Sequence, residues 1–148
     1  MPKTVKVAVV VGSLRAGSFT RKTAKALIEV APPGLSFDFV EIGDLEAYNE
    51  DSEASPPASW VRFRGEMAKA QVVLFATPEY NRSVPGLLKN AIDVGSRPYG
   101  KSIWSGKPAA VVSVSPGAIS GFGANHHLRQ SLVFLDMPTL QQPEAYIG

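Results

Sequence analysis

The sequence predicts an α/β protein built on a parallel, doubly wound sheet. Three observations carry that expectation. Val5 to Val11 is a valine-rich run, apolar except for Lys6, and without the alternation of a half-solvated strand, so it fits a strand covered on both faces. Val72 to Ala76 and Ala109 to Val114 repeat that character further along the chain. Each run is followed by a loop marked by glycine or proline and then by apolar residues at three-and-four spacing, the order in which a buried strand gives way to a crossover helix.

The first strand runs into Gly12-Ser-Leu-Arg-Ala-Gly-Ser18, after which Thr20, Thr23, Ala24, Leu27, Ile28 and Ala31 share one helical face. A loop at this place meets the N-terminus of a helix, whose free N–H groups and partial positive charge suit a phosphate. Ser13, Ser18 and Thr20 offer hydroxyl donors, Arg15 a charge-assisted grip, and Gly12 and Gly17 close backbone approach. Gly12 and Gly17 stand at the spacing of a P-loop, but Ser18 occupies the place where that motif needs lysine, and G-x-G-x-x-G is absent. A nucleoside triphosphate and a dinucleotide pyrophosphate are thereby disfavoured, and a terminal monophosphate is expected. The competing reading is an ordinary turn in which Ser18 only caps the helix.

Pro32-Pro33-Gly34 breaks that helix, and Leu35 to Glu41 alternates at first as an edge strand would. Gly43 to Pro57 carries Asp44, Glu46, Glu50, Asp51 and Glu53 and reads as a solvated surface loop, with Leu45 and Tyr48 its candidates for a site rim. Ser59 to Ala70 follows as a helix with Trp60, Phe63 and Met67 on its core or interface face, and Val72 to Ala76 as the central strand.

Thr77 to Gly86 is stiffened by Pro78 and Pro85 and presents Glu79, Tyr80 and Asn81, a combination suited to the face and edge of a flat heterocycle. Glu79 has no second carboxylate near it in sequence, which favours an orienting role over that of a general acid. Val84, Leu87, Leu88, Ala91 and Ile92 then mark a third helix. Gly106-Lys-Pro108 turns the chain into the fourth strand, Ser115 to Gly123 forms a further flexible loop, and Ala124, Leu128, Ser131, Leu132 and Leu135 mark the fourth helix. Thr139 to Ile147 is expected as the fifth strand. Three ligand-type loops then share one rim of the sheet.

The 148 residues make one domain, 1–148, with no shift in composition along the chain. No apolar run approaches the roughly 20 residues of a membrane helix. Met-Pro-Lys-Thr leads straight into the first strand, leaving no room for a signal peptide, and cysteine is absent; together these point to the cytoplasm. A net charge of +2, with no basic run and no interleaved aromatics, excludes a nucleic-acid footprint. His126 and His127 are neighbours about 100° apart on a helix and cannot share a metal as an i, i+4 pair would. Gly117-Ala-Ile-Ser120-Gly121 is misspaced for a hydrolase elbow. Both histidines read as interface or solvent residues, and no metal is expected.

Taken together, GSLRAGSFTRK, PEYNRSVPGLLKNAID and SPG followed by GANHHLRQSLVFLD resemble the NADPH-dependent FMN reductase family, which includes chromate and quinone reductases and related azoreductases, over essentially all of the chain. The resemblance implies a flavodoxin-like three-layer sandwich, a five-stranded parallel sheet of order 2-1-3-4-5, and FMN at its carboxyl edge. It implies ping-pong transfer of two electrons from NADPH or NADH to quinones, azo compounds, chromate or free flavin. By position, Ser13, Arg15, Ser18 and Thr20 would hold the FMN phosphate, Thr20 replacing the asparagine common in the family. Pro78, Glu79, Tyr80, Asn81 and Ser83 would contact the isoalloxazine and ribityl chain, and Ser115 and Gly117 would close the far side.

Arg82 stands where many members have tyrosine, as an exposed cation at the flavin mouth that would attract the phosphates of NADPH. Relatives carry arginine and tyrosine near the start of the fourth helix in a polar network between dimers; here those places are Gly123 and His126, with Glu144 retained. A homodimer is expected, and a homotetramer is less well supported. Relatives also continue into a final helix, so the chain is expected to lack one. The alternatives to an enzyme are an electron-transfer flavodoxin, disfavoured by the mildly basic balance, and a non-catalytic FMN-binding protein.

Overall fold

Five parallel strands form one sheet. The computed structural model describes residues 4–148; Met1, Pro2 and Lys3, read above as the lead into the first strand, lie outside the described residues. In chain order the elements are β1 (Val5–Val11), α1 (Phe19–Glu29), β2 (Leu35–Phe39), α2 (Ala58–Ala68), β3 (Val72–Pro78), α3 (Gly86–Ser96), β4 (Ala109–Val114), α4 (Phe122–Phe134) and β5 (Ala145–Ile147). The strand order in the sheet, β2-β1-β3-β4-β5, is the flavodoxin-like arrangement that the resemblance implies. Among the described residues no helix is long and apolar enough to cross a membrane.

The alternation of side chains along each strand divides the core in two. Ala8, Val10, Val73, Phe75 and Val111 point to the face covered by α2, α3 and α4, where Trp60, Phe63, Met67, Leu88, Ile92, Leu128 and Leu132 are buried. Val9, Val11, Ala76 and Val112 point the other way and meet Ala24 of α1, with Ile28 beside it. Small Thr20 and Ala24 are the buried residues of α1, so that helix lies close to the sheet while Leu27 is left exposed.

Trp104, from the segment before β4, enters the larger core, its ring 5.7 Å from that of Phe75 and 6.0 Å from that of Phe63. Its indole N–H donates to the carbonyl of Ile92 at 2.9 Å. Gly95 makes room for it, since a Cβ there would lie 2.6 Å from the indole.

Three expectations are corrected. The second strand ends at Phe39 rather than Glu41, although Val40 N–H still donates to the carbonyl of Val9. The fifth strand is confined to Ala145–Ile147; Thr139 makes only an isolated bridge to Ala109, and Pro143, lacking an N–H, sits in an exposed stretch that leaves the sheet.

The third correction lies in the acidic stretch from Gly43 to Pro57, which runs over the surface as expected but is tied down along its length. Leu45 and Tyr48 pack on the core instead of lining a site. Tyr48 stacks on Trp60 with centroids 5.7 Å apart, and its hydroxyl donates to Glu53 at 2.6 Å. The side chain of Asn90 accepts from Tyr48 N–H and donates to the carbonyl of Glu46, while Trp60 Nε1 donates to that same carbonyl. Arg97 closes the cluster on Glu53 at 2.7 Å and Glu50 at 3.0 Å.

Candidate functional site

The carboxyl ends of β1, β3 and β4 converge on one crevice of about 290 Å³. Its first wall is the loop after β1. Gly12 N–H donates to the carbonyl of Ala76, holding the loop against the exit of β3, and a Cβ on Gly12 would come within 3.3 Å of Leu88 and Pro78. An added carbon would press both neighbours by a few tenths of an ångström, so glycine eases the approach. Ser18 N–H donates to the carbonyl of Arg15, and Ser18 Oγ accepts from Arg21 N–H at 3.1 Å as the N-cap of α1. Phe19 and Thr20, the first residues of the helix, have no N–H acceptor among the described residues.

Around those donors stand Ser13, Ser18 and Thr20, exposed by only 5%, 3% and 2%. The hydroxyls of Ser13 and Thr20 line the crevice without a partner among the described residues. Arg15 is exposed at the mouth, its guanidinium carbon 5.7 Å from the centroid of Phe19. Phe19 lines the crevice as well, and sequence reading passed over it. Its signal was the placing of Arg15 four residues before it and Lys22 three after, cations within reach of an exposed ring.

The second wall follows β3. Pro78, Glu79 and Tyr80 line the crevice. Tyr80 and Ser83 then exchange two main-chain hydrogen bonds, 3.1 and 3.0 Å, around a two-residue turn in which Asn81 and Arg82 have φ of 51° and 64°. This is the geometry of a type I′ hairpin; asparagine adopts it readily, whereas arginine pays a steric penalty there. The rigidity of the loop therefore comes from the turn as much as from its prolines.

Glu79 does not extend its carboxylate into solvent: the side chain is 9% exposed, and Oε2 accepts from Ala124 N–H at 3.0 Å at the start of α4. The Arg82 guanidinium lies 3.8 Å from the other oxygen. Ser83 Oγ is hydrogen-bonded to His127 Nδ1 at 2.9 Å, so Ser83 faces α4, and Asn81 sits in the exposed turn; neither lines the crevice.

The third wall is Val114, Ser115 and Pro116. Ser115 N–H donates to the carbonyl of Ile147, and Ser115 Oγ accepts from Gly117 N–H at 3.2 Å; Gly117 itself is exposed and does not line the crevice. Nearby, His126 Nε2 is 2.9 Å from the Tyr146 hydroxyl and 3.7 Å from Glu144. Burial and the Glu144 carboxylate push the Tyr146 phenol up to about 12. Both histidines are thus engaged with hydroxyl groups on elements next to α4.

The crevice pairs a phosphate-type end with a flat end. Main-chain N–H groups, hydroxyls and one guanidinium meet at the tip of β1, and proline, tyrosine and valine side chains bound the remainder. That donor set matches a phosphomonoester attached to a planar group.

A family model described as NADPH-dependent FMN reductase matches residues 5–148. A quinone reductase of Pseudomonas putida is 69% identical, the match covering 100% of this chain and 80% of the relative. A 2-hydroxy-1,4-benzoquinone reductase of Burkholderia sp is 49% identical over 97% of this chain and 78% of its own. Among solved structures, the flavoenzyme NAD(P)H:(acceptor) oxidoreductase FerB from Paracoccus denitrificans superposes with a TM-score of 0.93 at 45% identity, covering 97% of this chain and 79% of that one.

Proposed function

The chain belongs to the NADPH-dependent FMN reductase family, and on that premise we propose that the crevice is its FMN site and that two electrons pass there from NAD(P)H to quinones. The protein is an NAD(P)H-dependent oxidoreductase with FMN as cofactor, acting on small-molecule acceptors. The observation that supports the placement is a set of donors in the β1–α1 loop and the first turn of α1 that have no partner among the described residues: the N–H groups of Phe19 and Thr20 and the hydroxyls of Ser13 and Thr20. With Arg15 and Ser18 they would hold the phosphate.

Pro78, Glu79 and Tyr80 would flank the ring, Glu79 by its main chain, while the Asn81–Arg82 turn and Ser83 brace that wall from behind. Ser115 and Gly117 would close the far side. FMN, when bound, supplies the hydride-accepting centre that the side chains of the site lack. The chain's own part is to anchor, to orient and to leave one face open so that donor and acceptor alternate. An open face also suits azo compounds, chromate and free flavin as acceptors in the same ping-pong scheme. Arg82, 74% exposed in its side chain, would attract the phosphates of NADPH. Two exposed cations, Arg15 at the mouth and Arg82 on the turn behind the second wall, favour a reductase over an electron-transfer flavodoxin.

The groove between α3 and α4, about 530 Å³, is bounded by Ile92, Leu135 and a 91% exposed Phe134, and a homodimer formed across it would cover that ring. The places at which a tetramer network is expected hold Gly123, which has no side chain to offer, and His126, already bonded to Tyr146.

The deciding experiment is an anaerobic titration of the FMN-loaded protein with NADPH, followed by benzoquinone. The flavin absorption should bleach and then return, and a spectrum that NADPH leaves unchanged would overturn the reading. In steady-state turnover with benzoquinone Arg82→Ala should raise the KM for NADPH; an unchanged value removes Arg82 from the donor site.

A further inference from the structure

We propose that Glu79 is a positioning residue, whose carboxylate caps α4 and through that bond holds the Tyr80–Ser83 turn in place beside the flavin. The inference rests on the FMN reading for its functional consequence, but its geometry stands apart from it. Helix α4 has no cap of its own: its N-cap is Gly121, at φ 79°, with no side chain to accept from the first turn. Glu79 fills that role from a different loop, accepting from Ala124 N–H at 3.0 Å. The oxygen takes up an N–H of the first turn, which the helix geometry leaves without an acceptor of its own.

The turn leans on the helix at that same point. A Cβ on Gly123 would lie 2.4 Å from the Arg82 carbonyl oxygen and 3.0 Å from Glu79 Oε2, so only glycine lets the two surfaces meet. The far end of the turn is tied down separately, by Ser83 Oγ to His127 Nδ1 at 2.9 Å. Between the two tethers lie Asn81 and Arg82 in the left-handed region, a conformation that persists where the surroundings enforce it. The Arg82–Glu79 ion pair, at 3.8 Å and open to solvent on the arginine side, adds little to that hold.

A carboxylate acting directly on flavin or substrate requires its charge or its proton. A carboxylate acting through α4 requires only an acceptor oxygen at the right reach, which glutamine supplies. Glu79→Gln should therefore bind FMN within about twofold of the wild type, while Glu79→Ala should weaken binding about tenfold. Gly123→Ala, which alters the helix side of the contact, should weaken it similarly, and the double variant should be no worse than either single one. Binding is read from quenching of FMN fluorescence.

The tether is read independently of flavin by hydrogen exchange of the Tyr80 and Ser83 amides in the apoprotein, faster in Glu79→Ala and unchanged in Glu79→Gln. Glu79→Gln as impaired as Glu79→Ala, or exchange unaffected by Glu79→Ala, would overturn the proposal. If Glu79→Ala and Gly123→Ala fail to fold, Glu79→Asp, which keeps the carboxylate but is too short to reach Ala124 N–H, should speed exchange of the Tyr80 and Ser83 amides, and unchanged exchange in that variant overturns the proposal equally. Wild-type protein that does not take up FMN would instead remove the proposed cofactor site, leaving the exchange result to decide the tether.

Discussion

The β1–α1 loop and the acidic stretch between β2 and α2 leave the carboxyl ends of adjacent strands, and both are dense in polar side chains. They differ in how much of that polarity is already used. In the acidic stretch Glu53 and Glu50 are held by Arg97, Asp44 by Arg62, Glu46 by Ser59, and the Tyr48 and Glu46 peptide groups by Asn90. In the β1–α1 loop, two helix N–H groups and the hydroxyls of Ser13 and Thr20 have no partner among the described residues, and Arg15 rests only against the ring of Phe19. A binding site is marked by donors still free to bond, gathered where water is partly excluded. Charge density alone does not mark one.

Breaking the saturated region should cost stability and spare binding. Trp60→Ala removes a fully buried indole that stacks on Tyr48 and donates to Glu46, and should lower unfolding stability by about 3–5 kcal/mol in urea titration. The FMN affinity of the protein that remains folded should stay within about twofold. A loss of affinity as large as the loss of stability would erase the distinction between the two regions.

Breaking the unsaturated region should do the reverse. Arg15 is exposed and holds no salt bridge among the described residues, so Arg15→Ala should leave the apoprotein's urea midpoint where it is. It should raise the FMN dissociation constant by about tenfold or more, the worth of one charge-assisted hydrogen bond to phosphate. Equal binding by the variant would mean that the backbone donors and hydroxyls hold the phosphate without it.

What could be read from the sequence follows the same division. The buried strands announce themselves because a valine run such as Val7 to Val11 has no other economical placement, and the crevice loops because Gly12, Ser18, Pro78 and Ser115 punctuate strand ends. These are local signals. The fixity of the acidic stretch depends on Asn90 and Arg97, more than 40 residues away from their partners, as the 42-residue separation of Tyr48 and Asn90 shows. Nothing within Gly43 to Pro57 reveals them. The direction of Glu79 is set by a helix terminus 45 residues further on, so it was legible only as an orienting group whose target was unknown. Phe19, 53% exposed, lies off the face of α1 that Thr20 and Ala24 bury, so hydrophobic periodicity does not single it out.

The smallest expected effect tests whether the saturated cluster is saturated in energy as well as in geometry. The hydrogen bond from Arg97, and after it that from Tyr48, holds the Glu53 carboxyl below the usual carboxylate range. A carboxyl whose folded-state value is depressed contributes stability that is fully present above its unfolded value of about 4.3 and is lost as the pH falls through the folded one. Between pH 7 and pH 5 the wild type and Glu53→Gln should therefore keep a constant difference in melting temperature, the wild type higher. Below about pH 4.3 the difference should narrow, because only the wild type has this proton left to take up. Parallel curves down to pH 3 would show that Arg97 and Tyr48 contribute shape to the stretch without tuning its charge, and much of the contrast with the β1–α1 loop would then rest on packing around Trp60.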